Sequence, residues 1–433
     1  MARLILANGA LLDGESGPRQ ATVIVEGDRF AEVADAAGPP ITPRPGDRVI
    51  DLGGRTVMPG MVLGHYHASY FNIGASLRPF GLEAPPALQA IRAVKNFRTT
   101  LDCGFTGVIS AGAPNGIDPA LKAAVAEGNA VGPRIMTCGR DVSTTGHFND
   151  LSYPSYLQIG ASGAMVCCDG PEGFRRAVRQ EMKDGAEIIK IFATGGHGVP
   201  ISGQQTEITP EELDMAIRTA RERGGKVRAH LANRDAILCA IELGLHIVDH
   251  GDGFDDACIE ASVRHGTFLT PSLHFAKTII QMAPGTDYAE AMRADYDAML
   301  AVLGKANAAG VGLLLGDDYG ATGLDHGSYG REFRLYVEEA GIPALDVIRW
   351  ATVHGAAAMG LENECGRVRA GMLADFLVVD GDPLTDLDLL ADPGRLLAIF
   401  KGGVAHKDQL DQLATGGEDA GRASTHSAGA GAR

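Results

Sequence analysis

His65 and His67 flank a single residue just after an apolar, β-branched stretch, Arg55-Thr56-Val57-Met58-Pro59-Gly60-Met61-Val62. On a strand, residues i and i+2 point to one face. Two adjacent imidazoles can hold one metal ion, because neutral imidazole nitrogen is a good ligand for zinc and related ions. Tyr66, between them, points the other way and is expected to pack. Later apolar stretches end in further ligand-type groups. These are Lys190 in Ile188-Ile189-Lys190-Ile191-Phe192, His230 in Val227-Arg228-Ala229-His230, His250 in Ile247-Val248-Asp249-His250, and Asp317-Asp318 after Leu313-Leu314-Leu315-Gly316. One strand-end histidine is an ordinary structural residue; the whole set on one rim is a candidate metal centre. Lys190 sits among apolar neighbours, so its ammonium must be paired or lose its charge. It can react with CO2 to give a carbamate, an anionic ligand able to bridge two metals. It can also pair with a nearby carboxylate, such as Asp317.

The elements that must position these groups read as alternating strands and helices. One strand ends at His67. Others are predicted at 104–110, 134–138, 187–192, 226–230, 245–250, 267–270 and 311–318, with helical stretches such as 171–183, 210–223 and 235–243 between them. Thr209-Pro210-Glu211-Glu212 is a helix start: a capping Thr, Pro at the first position, acids in the first turn. The fold class expected is α/β, a (β/α)8 TIM barrel with its site at the C-terminal ends of the strands. An open doubly wound sheet is the alternative, but no Gly-rich nucleotide fingerprint follows the first strand. Residues 1–56 and 364–412 carry short strands and Gly turns, and are expected to form one small β-sandwich. Residues 57–363 would be the barrel, and 413–433, rich in Gly, Ala and Ser, a disordered tail.

The chain has 433 residues, enough for a large barrel or two domains. Its 38 basic and 54 acidic residues leave a net charge of −16, which argues against nucleic acid as a partner and lends no support to membrane binding. No uncharged apolar run reaches the ~18 residues of a membrane span. The first residues are broken by Asn8-Gly9 and do not read as a signal peptide. Seven cysteines, without a CxxC pair, suit a reducing compartment, and Cys167-Cys168 are expected to be buried thiols. A cytoplasmic protein acting on a small molecule is expected, with a homo-oligomer left open.

The full set resembles the amidohydrolase superfamily, and within it the imidazolonepropionase-like and metal-dependent dipeptidase-like branch. Val57-Met58-Pro59-Gly60 leading to His65 and His67 is similar to the first-strand motif. Lys190, His230 and His250 match the fourth-, fifth- and sixth-strand ligands. Gly316-Asp317-Asp318 resembles the family's Gly-Thr-Asp, which makes Asp318 the matching acid. Thr194-Gly195-Gly196, His326-Gly327 with Glu332, Thr352 and Gly371-Met372-Leu373-Ala374-Asp375 fit as well. Leu63 replaces the usual Asp two residues before the first histidine, and Ala232 stands where some peptidase-like relatives have Tyr.

The resemblance implies two divalent ions, with zinc the first choice. One would be held by His65, His67, Asp318 and a Lys190 carbamate, the other by that carbamate with His230 and His250. A hydroxide bridging them would attack the carbonyl, with Asp318 managing its proton. His147, in Thr145-Gly146-His147, would donate to the oxyanion or bind substrate. His197 and His326 are weaker substrate-binding candidates.

The implied reaction cleaves a C–N amide-type bond of an amide, N-acyl amino acid or dipeptide. Alternatives are a carbamate or urea hydrolase with the same site, a mononuclear cyclic-amidine hydrolase or deaminase, and a non-enzymatic barrel relative. His246, His265, His274, His354, His406 and His426 read as structural or surface residues. Phe71, Phe80, Phe148 and Tyr156 point to a partly apolar pocket, and no Arg cluster at the strand ends suggests an anionic substrate.

Overall fold

Short β-branched runs, alternating with amphipathic helices, become parallel strands. The computed structural model describes residues 2–38, 41–73, 84–147, 150, 163, 165–199 and 201–413. The tail from residue 414, with His426, and the loop aromatics Phe80, Phe148 and Tyr156 lie outside the described residues. Strands β1 (Met61–Tyr66), β2 (Phe105–Ser110) and β3 (Arg134–Met136) form one parallel sheet. Strands β4 (Ile188–Phe192), β5 (Lys226–Leu231), β6 (Ile247–His250), β7 (Phe268–Thr270) and β8 (Gly312–Leu313) form a second. Two short strands, Asp141–Ser143 and Met165–Cys167, extend the second sheet beyond β4.

Contacts join the two sheets on both sides. Cys138 bridges in parallel to Ile188, and Gly64 N–H donates to the Leu315 carbonyl at 2.6 Å. Every residue of β1 and β2 is buried, which is why these strands read as continuous apolar runs rather than alternating ones. The Thr209 start forms as a full capping box. Glu212 N–H donates to the Thr209 hydroxyl, and Thr209 N–H donates to the Glu212 carboxylate. Such a cap stabilises a helix by about 1 kcal/mol.

The last strand is shorter than predicted. It ends at Leu313 instead of running to 318. Leu314 N–H and the Leu315 carbonyl still bond Leu269 and Gly64, and the chain turns at Gly316, at φ +143°, where a Cβ would sit 2.4 Å from the His65 backbone nitrogen. The chain must leave the sheet there so that the Asp317-Asp318 segment can pass close to β1.

Segments from both chain ends share one eight-stranded sheet. Thr56–Pro59 pairs in parallel with Ala10 and Leu11 and antiparallel with Phe376–Val379, then continues through Gly60 into β1. This sheet therefore sets where β1 begins, and with it the position of His65. Its own core includes Leu6, Val23, Phe30, Ile50, Phe376 and Phe400, with the rings of Phe376 and Phe400 stacked at 4.6 Å.

The seven cysteines are free thiols. Cys167 is exposed and Cys168 half-buried, which corrects the expectation of two buried thiols: they close an edge strand rather than a central one. Among the described residues, no helix is long and apolar enough to cross a membrane.

Candidate active site

β1 brings the Nε2 atoms of His65 and His67 to 3.1 Å from each other. Their other ring nitrogens fix them. His67 Nδ1 donates to the Gly112 carbonyl at 3.0 Å, and His65 Nδ1 donates to Asp249 Oδ1 at 3.1 Å. A ring whose Nδ1–H is so engaged presents a bare Nε2 lone pair. Tyr70 stacks on His67 at 3.9 Å and holds its plane. Asp318 Oδ1 lies 3.0 Å from His65 Nε2 and 3.2 Å from His67 Nε2. Two bare nitrogens and a carboxylate oxygen this close repel one another unless a proton or cation lies between them. Tyr66 turns away, against Phe97 and the Thr100 hydroxyl.

Asp317 and Asp318 part company at this point. Asp317 accepts from Phe275 N–H at 2.9 Å and Asp318 N–H at 2.7 Å, and burial lifts its pKa to about 6. Asp318 is held well below the usual carboxylate range: burial opposes its charge, but a charged His65, donating to it together with His67, outweighs burial, and a cation seated between them would act in the same direction.

Consecutive residues on a regular strand face opposite ways, yet Asp249 and His250 both reach this cluster. His250 breaks the alternation with φ +69°. His197 has φ +41°, and its ring stacks on His250 at 4.0 Å. Non-glycine residues in this region cost of order 1–3 kcal/mol each and concentrate at functional sites. The Nδ1 of His250 and the Nε2 of His197 are buried and have no hydrogen-bond partner among the described residues. His197, His250 and Asp318 thus make a second triplet, its ligand atoms within 4.8 Å of one another, with Asp318 common to both. Asp252 holds the other nitrogen of His197 at 2.9 Å. Burial disfavours a charged His197 ring, but Asp252 outweighs burial and raises its pKa to about 9.

His230 stands beside these triplets rather than in them. Its ring is 4.6 Å from that of His250 and stacks on Phe192 at 5.0 Å, while its Nε2 donates to the Gly196 carbonyl at 3.1 Å. Lys190 pairs with a carboxylate, and that carboxylate is Asp249, at 2.6 Å, rather than Asp317. Parallel register aligns Lys190 with Arg228 on the next strand, and Arg228 with Ile247 on β6, two residues before Asp249. Fully buried Arg228 donates through Nε to Asp249 Oδ2 at 3.0 Å and through Nη2 to Asp249 Oδ1. Its Nη1 reaches the carbonyls of Gly64 and Ser110, each at 3.0 Å. One guanidinium therefore ties β5 to β1, β2 and β6. Burial opposes ionisation of Asp249, but Arg228, Lys190 and His65 hold it well below the usual range.

Sequence reasoning missed Arg228, Asp249, Asp252 and Asp141. Burial pushes Asp141 up to about 7, against the pull of Lys190. A signal for Arg228 existed: it lies two residues before His230 in an apolar strand, so it must face the same interior and find an anion there.

The substrate candidates lie further out. His147 points Nε2 at the Thr194 carbonyl, 3.4 Å away, its ring 5.7 Å from Phe192 and its Nδ1 buried and unpartnered among the described residues. His326 bonds through Nδ1 to the Tyr329 hydroxyl at 2.9 Å, and burial lowers its pKa to about 3. His197 is itself part of the second triplet.

Known proteins share this architecture. The model of the amidohydrolase family matches residues 56–405. An ochratoxinase of Aspergillus niger is 26% identical over 93% of this chain and 86% of its own length. An imidazolonepropionase of Nocardia farcinica is 25% identical over 91% of this chain and 93% of its own. A solved prolidase, complexed with N-methylphosphonate-L-proline, superposes with a TM-score of 0.82 at 30% identity, covering 94% of this chain and all of its own. Five ligand-type side chains in two triplets that share Asp318, in a chain matched over most of its length, lead to one conclusion: this protein is a hydrolase belonging to the amidohydrolase family.

Proposed function

We propose that this chain is a binuclear metal-dependent hydrolase that cleaves the C–N bond of an amide, an N-acyl amino acid or a dipeptide. The observation that carries the reading is the pair of triplets sharing Asp318, built from bare or unpartnered imidazole nitrogens. Such a donor set suits divalent ions of the zinc type. His65, His67 and Asp318 would hold one ion, and His250 the other, with His230 joining it once its Nε2 turns from the Gly196 carbonyl. His197 is near enough to compete for the second ion. A carbamate on Lys190 would join the two. Lys190 would first give up its pair with Asp249, which keeps Arg228 and His65 as partners. The scaffold would be a closed (β/α)8 barrel, supported by the contacts that join the two sheets on both sides.

Bound ions of this kind lower the pKa of water towards neutrality and polarise a carbonyl. The protein's own groups do the rest. Asp318 takes the proton of the attacking water and passes it to the leaving nitrogen. Asp249 and the Gly112 carbonyl keep both β1 histidines in the tautomer that faces the centre. His147 would bind substrate, or donate to the developing oxyanion once its Nε2–H leaves the Thr194 carbonyl. The prolidase relative with its N-substituted proline supports a substrate of the dipeptide or N-acyl amino acid class.

The test is a panel of N-acyl amino acids, dipeptides, carbamates and ureas offered to the zinc-loaded protein. Turnover of an N-acyl amino acid or dipeptide, lost in Asp318→Asn, is expected. Cleavage confined to carbamates or ureas, or amide turnover that survives Asp318→Asn, would overturn the assignment.

A further inference from the structure

Helix Gly170–Lys183 buries Phe174, Ala177 and Val178 and turns a cationic face outward. That face borders a cavity of about 530 Å³ lined by Arg175, Arg176, Arg179, Lys183 and Arg223, with Glu172 as its acid. No apolar or aromatic side chain lines it. Glu172 is engaged by Arg175 at 3.4 Å. Among the described residues, Arg176, Arg179, Lys183 and Arg223 have no carboxylate partner. Several surface cations elsewhere are matched, as in Arg48 with Asp408, Arg264 with Glu242 and Arg334 with Glu338, although others such as Arg98 and Arg293 also lack a carboxylate partner among the described residues.

This is a chain of net charge −16. Clustering its unpaired cations is unfavourable, since like charges three or four residues apart on a helix repel. Lys183, in the last turn, is accounted for by the helix dipole. Arg176 and Arg179 are not.

Topology separates this groove from the active site. Lys183 and Arg223 lie just before β4 and β5, whereas Lys190 lies in the middle of β4 and His230 near the far end of β5. The groove therefore opens near the N-terminal ends of the strands.

We propose that it binds a short multivalent oxyanion of the oligophosphate class. Guanidinium groups pair with phosphate oxygens in a forked geometry that a single ammonium cannot offer. With no ring to stack on, the groove would read charge rather than a base. A long nucleic acid would meet the repulsion of the whole acidic surface.

The experiment titrates inorganic triphosphate into the zinc-loaded protein by calorimetry. Saturable binding is expected, weakening as salt is raised from about 50 to about 200 mM. The double variant Arg176→Glu/Arg179→Glu should bind at least about tenfold more weakly, with amide hydrolysis unchanged. Three outcomes would overturn the proposal. One is no binding at low salt. Another is binding that persists in the double variant, which would report the metal centre instead. The third is a double variant that falls apart into smaller species by light scattering, which would make the groove a contact between copies of this chain.

Discussion

Replacing Arg228 with Met tests the buried network that holds the site. Methionine fills most of the volume but donates nothing. Asp249 would lose the Nε bond of 3.0 Å and the Nη2 bond, and the Gly64 and Ser110 carbonyls would lose their 3.0 Å donor. Removing one partner of a buried ion pair costs about 3–5 kcal/mol, and an abandoned buried acceptor about 1–3 kcal/mol. These do not add in full, because Asp249 keeps Lys190 at 2.6 Å and His65 at 3.1 Å. A loss of about 3–4 kcal/mol is expected, which leaves a folded protein within the usual 5–15 kcal/mol of stability. Trp350, the sole tryptophan, is fully buried and bonded to Asn307, so its fluorescence reports unfolding in urea. Bound metal should fall with stability, because Asp249 no longer holds the His65 tautomer firmly. Arg228→Lys, which keeps the charge but not the fork, should fall between the two. A loss under about 1 kcal/mol with full metal content would refute the claim that this guanidinium is the clamp.

Further substitutions separate neighbouring roles. Asp318→Asn should lower kcat by about 10²–10⁴, while Asp317→Asn, whose carboxylate only accepts backbone amides, should stay within about tenfold. The reverse ranking in steady-state kinetics would mean that the two roles are exchanged. Gly316→Ala puts a Cβ 2.4 Å from the His65 nitrogen at φ +143°; a lower melting temperature and reduced metal content are expected, and unchanged values would deny the close approach. Asp118 is buried and burial raises its pKa to about 6, although Ser110 and the Cys138 amide oppose this. A folded pKa above the unfolded ~3.9 means that the native state holds the proton longer, so this group's contribution falls as pH rises from about 4 to about 6. The drop is about 3 kcal/mol for two pH units. Relative to wild type, Asp118→Asn should therefore gain that much stability between pH 4 and pH 7 in urea unfolding; a flat difference would contradict the assignment.

Much of this was legible from the primary structure. Strands buried on both faces read as unbroken apolar runs, and the ligand-type residues at or near their ends could be picked out by type. Pairings across the interior were not legible. Lys190 and Asp249 are 59 residues apart, and only the register of β4, β5 and β6 brings them together. Strict alternation would place either Asp249 or His250 inside, so a reader of the sequence must choose one; the left-handed backbone of His250 admits both. The same conformation at His197 carries that ring from a loop to the centre, which no periodicity announces. The tight passage of Gly316 beside the His65 backbone is a close approach that sequence spacing does not encode.

The central claim is that these side chains hold a pair of metal ions, and elemental analysis of the gently purified protein tests it most directly. About two divalent ions per chain are expected, falling to about one in His250→Ala and to fewer still in His65→Ala/His67→Ala. A fully active wild-type protein with no stoichiometric metal would contradict the account.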